Sequence, residues 1–177
     1  MSSLEAVAAV TTLLREPTRV RSVEVVAHRG FSSRQPEMTL AAYREAVEWS
    51  VAEGVAVGLE CDVRFSADQE LVCLHDPVLG RTSPGRGAVA EWSVAALRAL
   101  DFGSWRVLAP SVEQRSLVTL GELLALVAEA RTRGADVRLV VETKHPSDEG
   151  LTLERRVCEL LAEYGWTGPG APVRVIT

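Results

Sequence analysis

Two acidic residues, Glu60 and Asp62, flank Cys61 in a stretch that is otherwise apolar. Side chains alternate between the two faces of a strand, so both carboxylates are predicted to share one face while Cys61 points to the other. Two neighbouring carboxylates require a cation, and their hard oxygen atoms suit Mg²⁺ or Ca²⁺ better than zinc. A solvated strand face would give the same spacing. The apolar neighbours Leu59 and Val63 favour a buried strand instead.

A third carboxylate, that of Glu142, follows the apolar run 139–141. The same alternation places Glu142 and Lys144 on one face of the predicted strand. An exposed pair of opposite charges is the alternative, but the apolar residues directly before it indicate burial. We therefore expect Glu142 to join the acidic site. His145, ahead of Pro146, lies in loop sequence and is predicted to be solvated, with no role in the site.

Two histidines, His28 and His75, close the first and third predicted strands. Parallel α/β folds bind their ligands at the carboxyl ends of strands, so both imidazoles are expected in the site. A single histidine more often has a structural role, but two at equivalent strand ends beside an acidic pair favour catalysis. Imidazole can both accept and donate a proton near neutral pH, as general acid–base catalysis requires. Arg29 and Lys144 add positive charge for an anionic oxygen.

The composition excludes several classes of protein. The chain has 177 residues, 47% of them hydrophobic, and a net charge of −5, which predicts one folded, soluble domain. Clustered Lys and Arg, which binding to nucleic acid or anionic lipid requires, are absent. No uncharged apolar run reaches the length of about 18 residues that a membrane-spanning helix needs. The cysteines at 61, 73 and 158 indicate neither a disulfide framework nor a zinc site, so a cytoplasmic location is expected.

The elements that must position these residues alternate between strands and helices. The strands are predicted at 23–27, about 57–65, 70–75, 138–143 and 173–177, with helices at 39–54, 93–100, 119–134 and about 151–164. Alternation of this kind predicts right-handed crossovers and a parallel sheet within one domain. A (β/α)₈ barrel typically needs about 250 residues, so length alone favours an open, doubly wound sheet.

Local signals fix some of these boundaries. Thr39 is a predicted N-cap and Gly54 a stop signal for the first long helix. Thr119 and Glu122 form a capping box for the third. The segment 77–118 is rich in Gly, Pro, Ser and Arg and is interpreted as an inserted excursion. Residues 1–22 are predicted to be an N-terminal extension that is helical over 4–14.

Five sequence blocks resemble the glycerophosphodiester phosphodiesterase family. They are VVAHRGFSSRQPEMTLAAY (25–43), GLECDVRFSADQELVCLHDPVLGRTS (58–83), LDFGSW (100–105), LVTLGELL (117–124) and LVVETKH (139–145). The resemblance covers about residues 23–177. It implies a TIM (β/α)₈ barrel, here ending after about five strands, rather than an open sheet. It also implies hydrolysis of glycerophosphodiesters to glycerol 3-phosphate and an alcohol, with a divalent cation.

The resemblance implies a role for each candidate residue. The residues that match the family's metal ligands are Glu60, Asp62 and Glu142. The residues that match its catalytic pair are His28 and His75. Those that match the groups around its phosphate are Arg29 and Lys144. One imidazole would deprotonate the attacking group and the other would protonate the departing alkoxide. Attack by water and attack by the neighbouring glycerol hydroxyl, through a cyclic phosphate, both remain open.

The chain departs from the family pattern in several places. Met38 stands where the family usually has Asn, and Thr177 falls within the fifth strand where the family continues through three more. Three interpretations follow. The chain is part of a longer active enzyme, or a short product that binds a cation or phosphate ester without efficient turnover, or a non-catalytic interaction module. In the last case, open sheet edges would recruit another chain or promote self-association.

Overall fold

The computed structural model describes residues 24–144 and 150–177, so the predicted extension 1–22 and His145 lie outside the described residues. The strands are β1 (Val25–Ala27), β2 (Val57–Phe65), β3 (Leu71–Cys73), β4 (Val137–Thr143) and β5 (Val173–Ile176). The α-helices are α1 (Leu40–Glu53), α2 (Val94–Arg98), α3 (Leu120–Thr132) and α4 (Thr152–Glu163). Each strand and helix predicted within residues 24–144 and 150–177 is therefore present, with small shifts of its ends.

Four of the strands form a parallel sheet in the order β1-β2-β4-β5. In the central pair, β4 is paired with β2 along the full length of β4, and the register places Asp62 opposite Glu142. Acidic residues distant in sequence are thus at the same level of adjacent strands. The expected parallel pairing is confirmed for these four strands.

The third strand differs from the expected topology, because β3 pairs with β2 in the antiparallel direction. The connection from Ser66 to Glu70 is a tight turn, in which Gln69 has a φ of 61° and the Ser66 hydroxyl accepts a hydrogen bond from the Glu70 amide (3.1 Å). A parallel neighbour needs a crossover of a dozen or more residues, which this connection cannot supply. The predicted parallel sheet thus carries one antiparallel strand, β3, and His75 follows this returning strand.

The helix boundaries follow from their caps. The Thr39 hydroxyl accepts a hydrogen bond from the Ala42 amide, and Gly54 ends α1 in the left-handed conformation with a φ of 64°. At α3, Thr119 and Glu122 satisfy each other's backbone amides in a capping box. Both predicted N-caps are confirmed.

The main core lies between the sheet and helices α1, α3 and α4. Side chains that share this burial include Tyr43, Val47, Leu59, Leu123, Val127, Leu139, Val141 and Val157. Cys61 belongs to the same core, as the alternation along β2 predicts. The acidic residues of β2 therefore point to the face that the helices do not cover.

The segment 77–118 forms a smaller body with its own apolar cluster, built around Val89, Leu97 and Phe102. The segment begins and ends next to β3, because the Cys73 amide donates a hydrogen bond to the Val118 carbonyl (2.9 Å). Val72 and Thr119 also form an isolated bridge. The two ends of the segment therefore lie side by side, and the interpretation of 77–118 as an inserted excursion stays a prediction.

The sheet is not closed within the described residues, since β1 and β5 each pair with one strand only. Both strands expose apolar side chains: Val25, Val26, Val175 and Ile176. The lateral edges of the parallel sheet are therefore β1 and β5.

Candidate active site

Three carboxylates meet above the carboxyl-terminal half of β2 and β4. One oxygen from each of Glu60, Asp62 and Glu142 lies within 4.8 Å of the others. Glu60 and Asp62 are buried, and Glu142 is half-buried. The alternation along β2 and the register between β2 and β4 place them there. The structure thus brings together all three acids singled out in the sequence.

Two cationic side chains reach this acid cluster, defined as Glu60, Asp62 and Glu142. Lys144 Nζ lies 2.8 Å from Asp62 Oδ1 and also contacts Glu142 Oε1. Arg29 Nε lies 3.3 Å from Asp62 Oδ2 on the other side. The Lys144 hydrogen bond lowers the pKa of the Glu142 carboxyl. Burial opposes the charge of Lys144, but its hydrogen bonds to Asp62 and Glu142 raise its pKa overall.

Arg29 also uses its backbone. Its φ is 57°, a conformation that a residue with a Cβ adopts at an energetic cost, and its amide donates to Glu60 Oε2 at 2.7 Å. Gly30 follows with a φ of 73°. Two successive left-handed residues after β1 thus turn a backbone donor toward Glu60. This strained backbone was not predictable from the spacing of the charged residues.

Glu60 has the strongest conflict between burial and charge. Burial raises the pKa of its carboxyl to about 7, and the neighbouring charges of Asp62 and Glu142 add to this effect against the Arg29 amide hydrogen bond. Its Oε1 atom is buried and has no hydrogen-bond partner among the residues that the structure describes. An unsatisfied buried carboxylate oxygen between two other acids fits a hard divalent cation.

The two histidines approach the acid cluster differently. His28 is largely exposed, and its Nε2 lies 4.0 Å from Glu60 Oε2. His75 is positioned by the β2–β3 hairpin, because the amide of the preceding Leu74 donates to the Asp62 carbonyl (3.0 Å). Its Nδ1 lies 2.7 Å from Asp76 Oδ1. His28 therefore lies directly beside the acid cluster, whereas a hairpin, rather than a parallel strand, carries His75 toward the same side of the sheet.

Three further charged residues, Glu37, Asp76 and Arg81, form ion pairs around the site and were not singled out from the sequence. Burial alone would raise the pKa of Glu37, but the hydrogen bond and charge of Arg81, followed by those of Arg29, lower it. Hydrogen bonds from Arg81 and His75 likewise lower the pKa of Asp76 against its burial. The position of Asp76 directly after His75 was the one available signal.

The net charge of the site matches an anionic ligand once a cation is present. The three carboxylates and the two cations, Arg29 and Lys144, leave one net negative charge. A divalent cation would reverse this to one net positive charge. That charge would balance the single negative charge of a phosphodiester.

A parallel α/β sheet with an acidic cluster and two imidazoles at its carboxyl edge defines an enzyme-like α/β protein of the barrel type. Residues 28–166 match the model of the glycerophosphoryl diester phosphodiesterase family, and the chain belongs to this family.

Individual relatives agree with this assignment. The chain is 43% identical over 153 residues to the Mycobacterium tuberculosis protein named "Probable glycerophosphodiester phosphodiesterase 1", a match that covers 85% of the chain and 53% of the relative. A solved Oleispira antarctica phosphodiesterase, in complex with the product sn-glycerol-3-phosphate, is 29% identical with a TM-score of 0.67. That match covers 86% of the chain and 56% of the solved structure.

A glycerophosphodiester phosphodiesterase from Agrobacterium tumefaciens supports the fold, with a TM-score of 0.68 at 24% identity over 88% of the chain and 58% of its own length. These solved structures are TIM barrels, so the expected barrel fold is confirmed. The described strands form part of such a barrel, and their sheet is not closed. The chain spans about half the length of the curated relatives it matches. Among the described helices, none is both long and apolar enough to cross a membrane.

Proposed function

We propose that this protein hydrolyses glycerophosphodiesters to glycerol 3-phosphate and an alcohol, with the help of a divalent cation. The observation that carries the proposal is the acid cluster, whose Glu60 Oε1 is buried without a hydrogen-bond donor in the described parts of the chain. The names of the relatives and the product complex of the Oleispira antarctica enzyme support the substrate class.

The residues that would hold the cation are Glu60, Asp62 and Glu142, and their oxygen atoms suit Mg²⁺ or Ca²⁺. A bound divalent cation supplies positive charge that stabilises the phosphoryl oxygens in the transition state. Arg29 and Lys144, on opposite sides of Asp62, would bind the remaining anionic oxygens.

The two imidazoles would move the protons. One of His28 and His75 accepts the proton of the attacking hydroxyl, and the other donates a proton to the departing alkoxide. The attacking group is either water or the free glycerol hydroxyl next to the phosphate. In the second case the first product is a cyclic phosphate, which water then opens to glycerol 3-phosphate.

The test is release of glycerol 3-phosphate from glycerophosphocholine, with and without EDTA. We expect EDTA to abolish release, and Glu60→Gln and His28→Asn to lower it by about 10² to 10⁴. Glu70→Gln is the matched control, because Glu70 is an exposed residue at the hairpin turn. A folded Glu60→Gln protein with normal turnover, or activity that is indifferent to EDTA, would overturn the proposal. Phosphorus NMR would detect a cyclic intermediate.

Self-association is a second property that a specific observation favours. The edge strands β1 and β5 carry exposed apolar residues and lack a second strand partner in the described structure. Unpaired strand edges readily pair with another chain. A non-catalytic interaction module would form oligomers without releasing glycerol 3-phosphate. Neither binding to nucleic acid nor membrane insertion is proposed, and a cytoplasmic location stays a prediction.

A further inference from the structure

We propose that Arg81 is a positioning residue that holds His75 and Arg29 in place through two carboxylates, those of Asp76 and Glu37. This inference rests on the proposed function, because its consequence is a faster reaction at the same site. Arg81 belongs to the segment 77–118 and lies outside the acid cluster.

Arg81 uses all three nitrogen atoms of its guanidinium group. Nε lies 2.5 Å from Asp76 Oδ2, while Nη1 and Nη2 lie 3.0 and 2.7 Å from the two oxygens of Glu37. The guanidinium group is planar, and its nitrogen atoms are arranged as a rigid fork. One side chain thus fixes the orientation of two carboxylates that lie on different loops.

Each of these carboxylates holds one candidate site residue. Asp76 Oδ1 lies 2.7 Å from His75 Nδ1, and Glu37 Oε1 accepts from Arg29 Nη1 at 3.0 Å. Arg29 in turn reaches Asp62 of the acid cluster. A continuous series of ion pairs therefore runs from the imidazole of His75 to the acid cluster, with Arg81 at its middle.

The contact with Asp76 determines the state of the His75 ring. An ionised carboxylate can only accept hydrogen bonds, so His75 Nδ1 must carry the proton. This leaves His75 Nε2 to exchange a proton with substrate. Arg64 separately fixes the His75 backbone, since its Nε and Nη2 donate to the His75 carbonyl at 2.9 and 2.7 Å. The ring torsion is the remaining freedom, and Asp76 with Arg81 restricts it.

A purely structural role does not account for this geometry. The Arg81 side chain is 43% exposed, and ion pairs at such sites contribute little to stability. The groups that it orients are less exposed and adjoin the site. A lysine would replace it only in part, because a single ammonium group keeps the charge but cannot reproduce the fork.

The experiment compares Arg81→Gln and Arg81→Lys with a matched control, Arg98→Gln. Arg98 lies in the same segment, is 50% exposed and pairs with Glu122 at 2.7 Å, outside the site. We expect kcat for glycerophosphocholine to fall about tenfold in Arg81→Gln, with a smaller change in KM and a partial recovery in Arg81→Lys. Arg98→Gln should keep the original kcat, and thermal unfolding should be alike in all three variants.

Two further measurements separate positioning from stability. If Arg81 acts through these two carboxylates, adding Arg81→Gln to the double variant Asp76→Asn/Glu37→Gln should lower kcat by less than about twofold more. Nitrogen-15 NMR of the His75 ring should show a protonated Nδ1 in the unmodified protein and an altered Nδ1 signal in Arg81→Gln. Equal kcat in Arg81→Gln and Arg98→Gln, additive losses, or an unchanged His75 signal would overturn the inference. The NMR measurement needs no turnover. A protein that shows the expected His75 signals but does not release glycerol 3-phosphate would therefore contradict only the proposed function.

Discussion

The protonation state of Glu60 is expected to control the affinity of this protein for a divalent cation. Its carboxyl is buried, its pKa is raised to about 7, chiefly by that burial, and one of its oxygens has no donor among the described residues. A protonated carboxyl is a poor ligand for a divalent cation, so the proton must leave as the cation binds.

We therefore predict that affinity for Mg²⁺ or Ca²⁺ rises with pH and levels off above about pH 7. Below that value the bound proton competes with the cation, and above it the carboxylate is already free. Isothermal titration calorimetry at pH 6 and pH 8 checks this, and proton release should accompany binding at the lower pH. Glu70→Gln should behave as the unmodified protein, whereas Glu60→Gln should bind weakly at both values. An affinity that does not vary with pH would contradict the prediction.

The placement of the acid cluster was predictable from single residues, but its surroundings were not. The period of two along β2 was sufficient to place Glu60 and Asp62 on one face. By contrast, Arg81 contacts Asp76, five residues earlier in the same connection, and Glu37, which lies 44 residues away on another loop. No periodic pattern links such positions, since they meet only when the loops fold.

At the scale of elements, the turn after β1 has the strictest steric requirement near the site. Gly30 has a φ of 73°, and a Cβ there would lie 2.8 Å from both the backbone carbonyl carbon and the Cβ of Ala42 in α1. Gly54 has a similar φ of 64°, but open space surrounds it. Comparing alanine substitutions at these two glycines therefore separates the cost of backbone strain from the cost of steric overlap.

We predict that Gly30→Ala lowers the free energy of unfolding by clearly more than Gly54→Ala does. Gly54→Ala should cost about 1–2 kcal/mol, the strain of a left-handed residue with a Cβ. Gly30→Ala adds the overlap with Ala42, for a total of at least about 3 kcal/mol. Urea unfolding measures both values. Equal losses would mean that α1 shifts freely away from the turn.

Helix ends followed from the sequence because their signals are local. Thr39 and Gly54 bound α1 within one residue of the prediction, and each makes the hydrogen bond that its side chain or backbone conformation allows. The general alternation of strands and helices does not predict the antiparallel direction of β3, whereas the short connection at 66–70 does. Loop length was the better guide there, since a tight turn permits only an antiparallel partner.

At the scale of the whole molecule, the sheet formed by the described residues leaves two apolar edges. Val26 on β1 is 41% exposed, and Val175 and Ile176 on β5 are similarly exposed. A sheet edge of this kind offers both unpaired backbone groups and apolar area to another chain.

We predict that Val26→Lys decreases self-association, because a charged side chain on an edge strand opposes pairing with a second strand. Val51→Lys is the control, since Val51 is 60% exposed but lies on helix α1. Size-exclusion chromatography with light scattering over a range of protein concentrations measures the effect. Identical elution of both variants and the unmodified protein would show that the β1 edge does not drive assembly.

The contact between Cys73 and Val118 has a consequence for how this architecture can diversify. Since the segment 77–118 starts and finishes at the same strand, its length can change without displacing β2, β4 or α3. Lengthening a closed loop costs little free energy, because the entropy of closure grows only with the logarithm of its length. Arg81, near the start of the segment, contacts Asp76 and Glu37 and is therefore fixed by the site. The part of the segment beyond Arg81 is where length and sequence can vary, and if the proposed function holds it is the place to alter the preference for the alcohol.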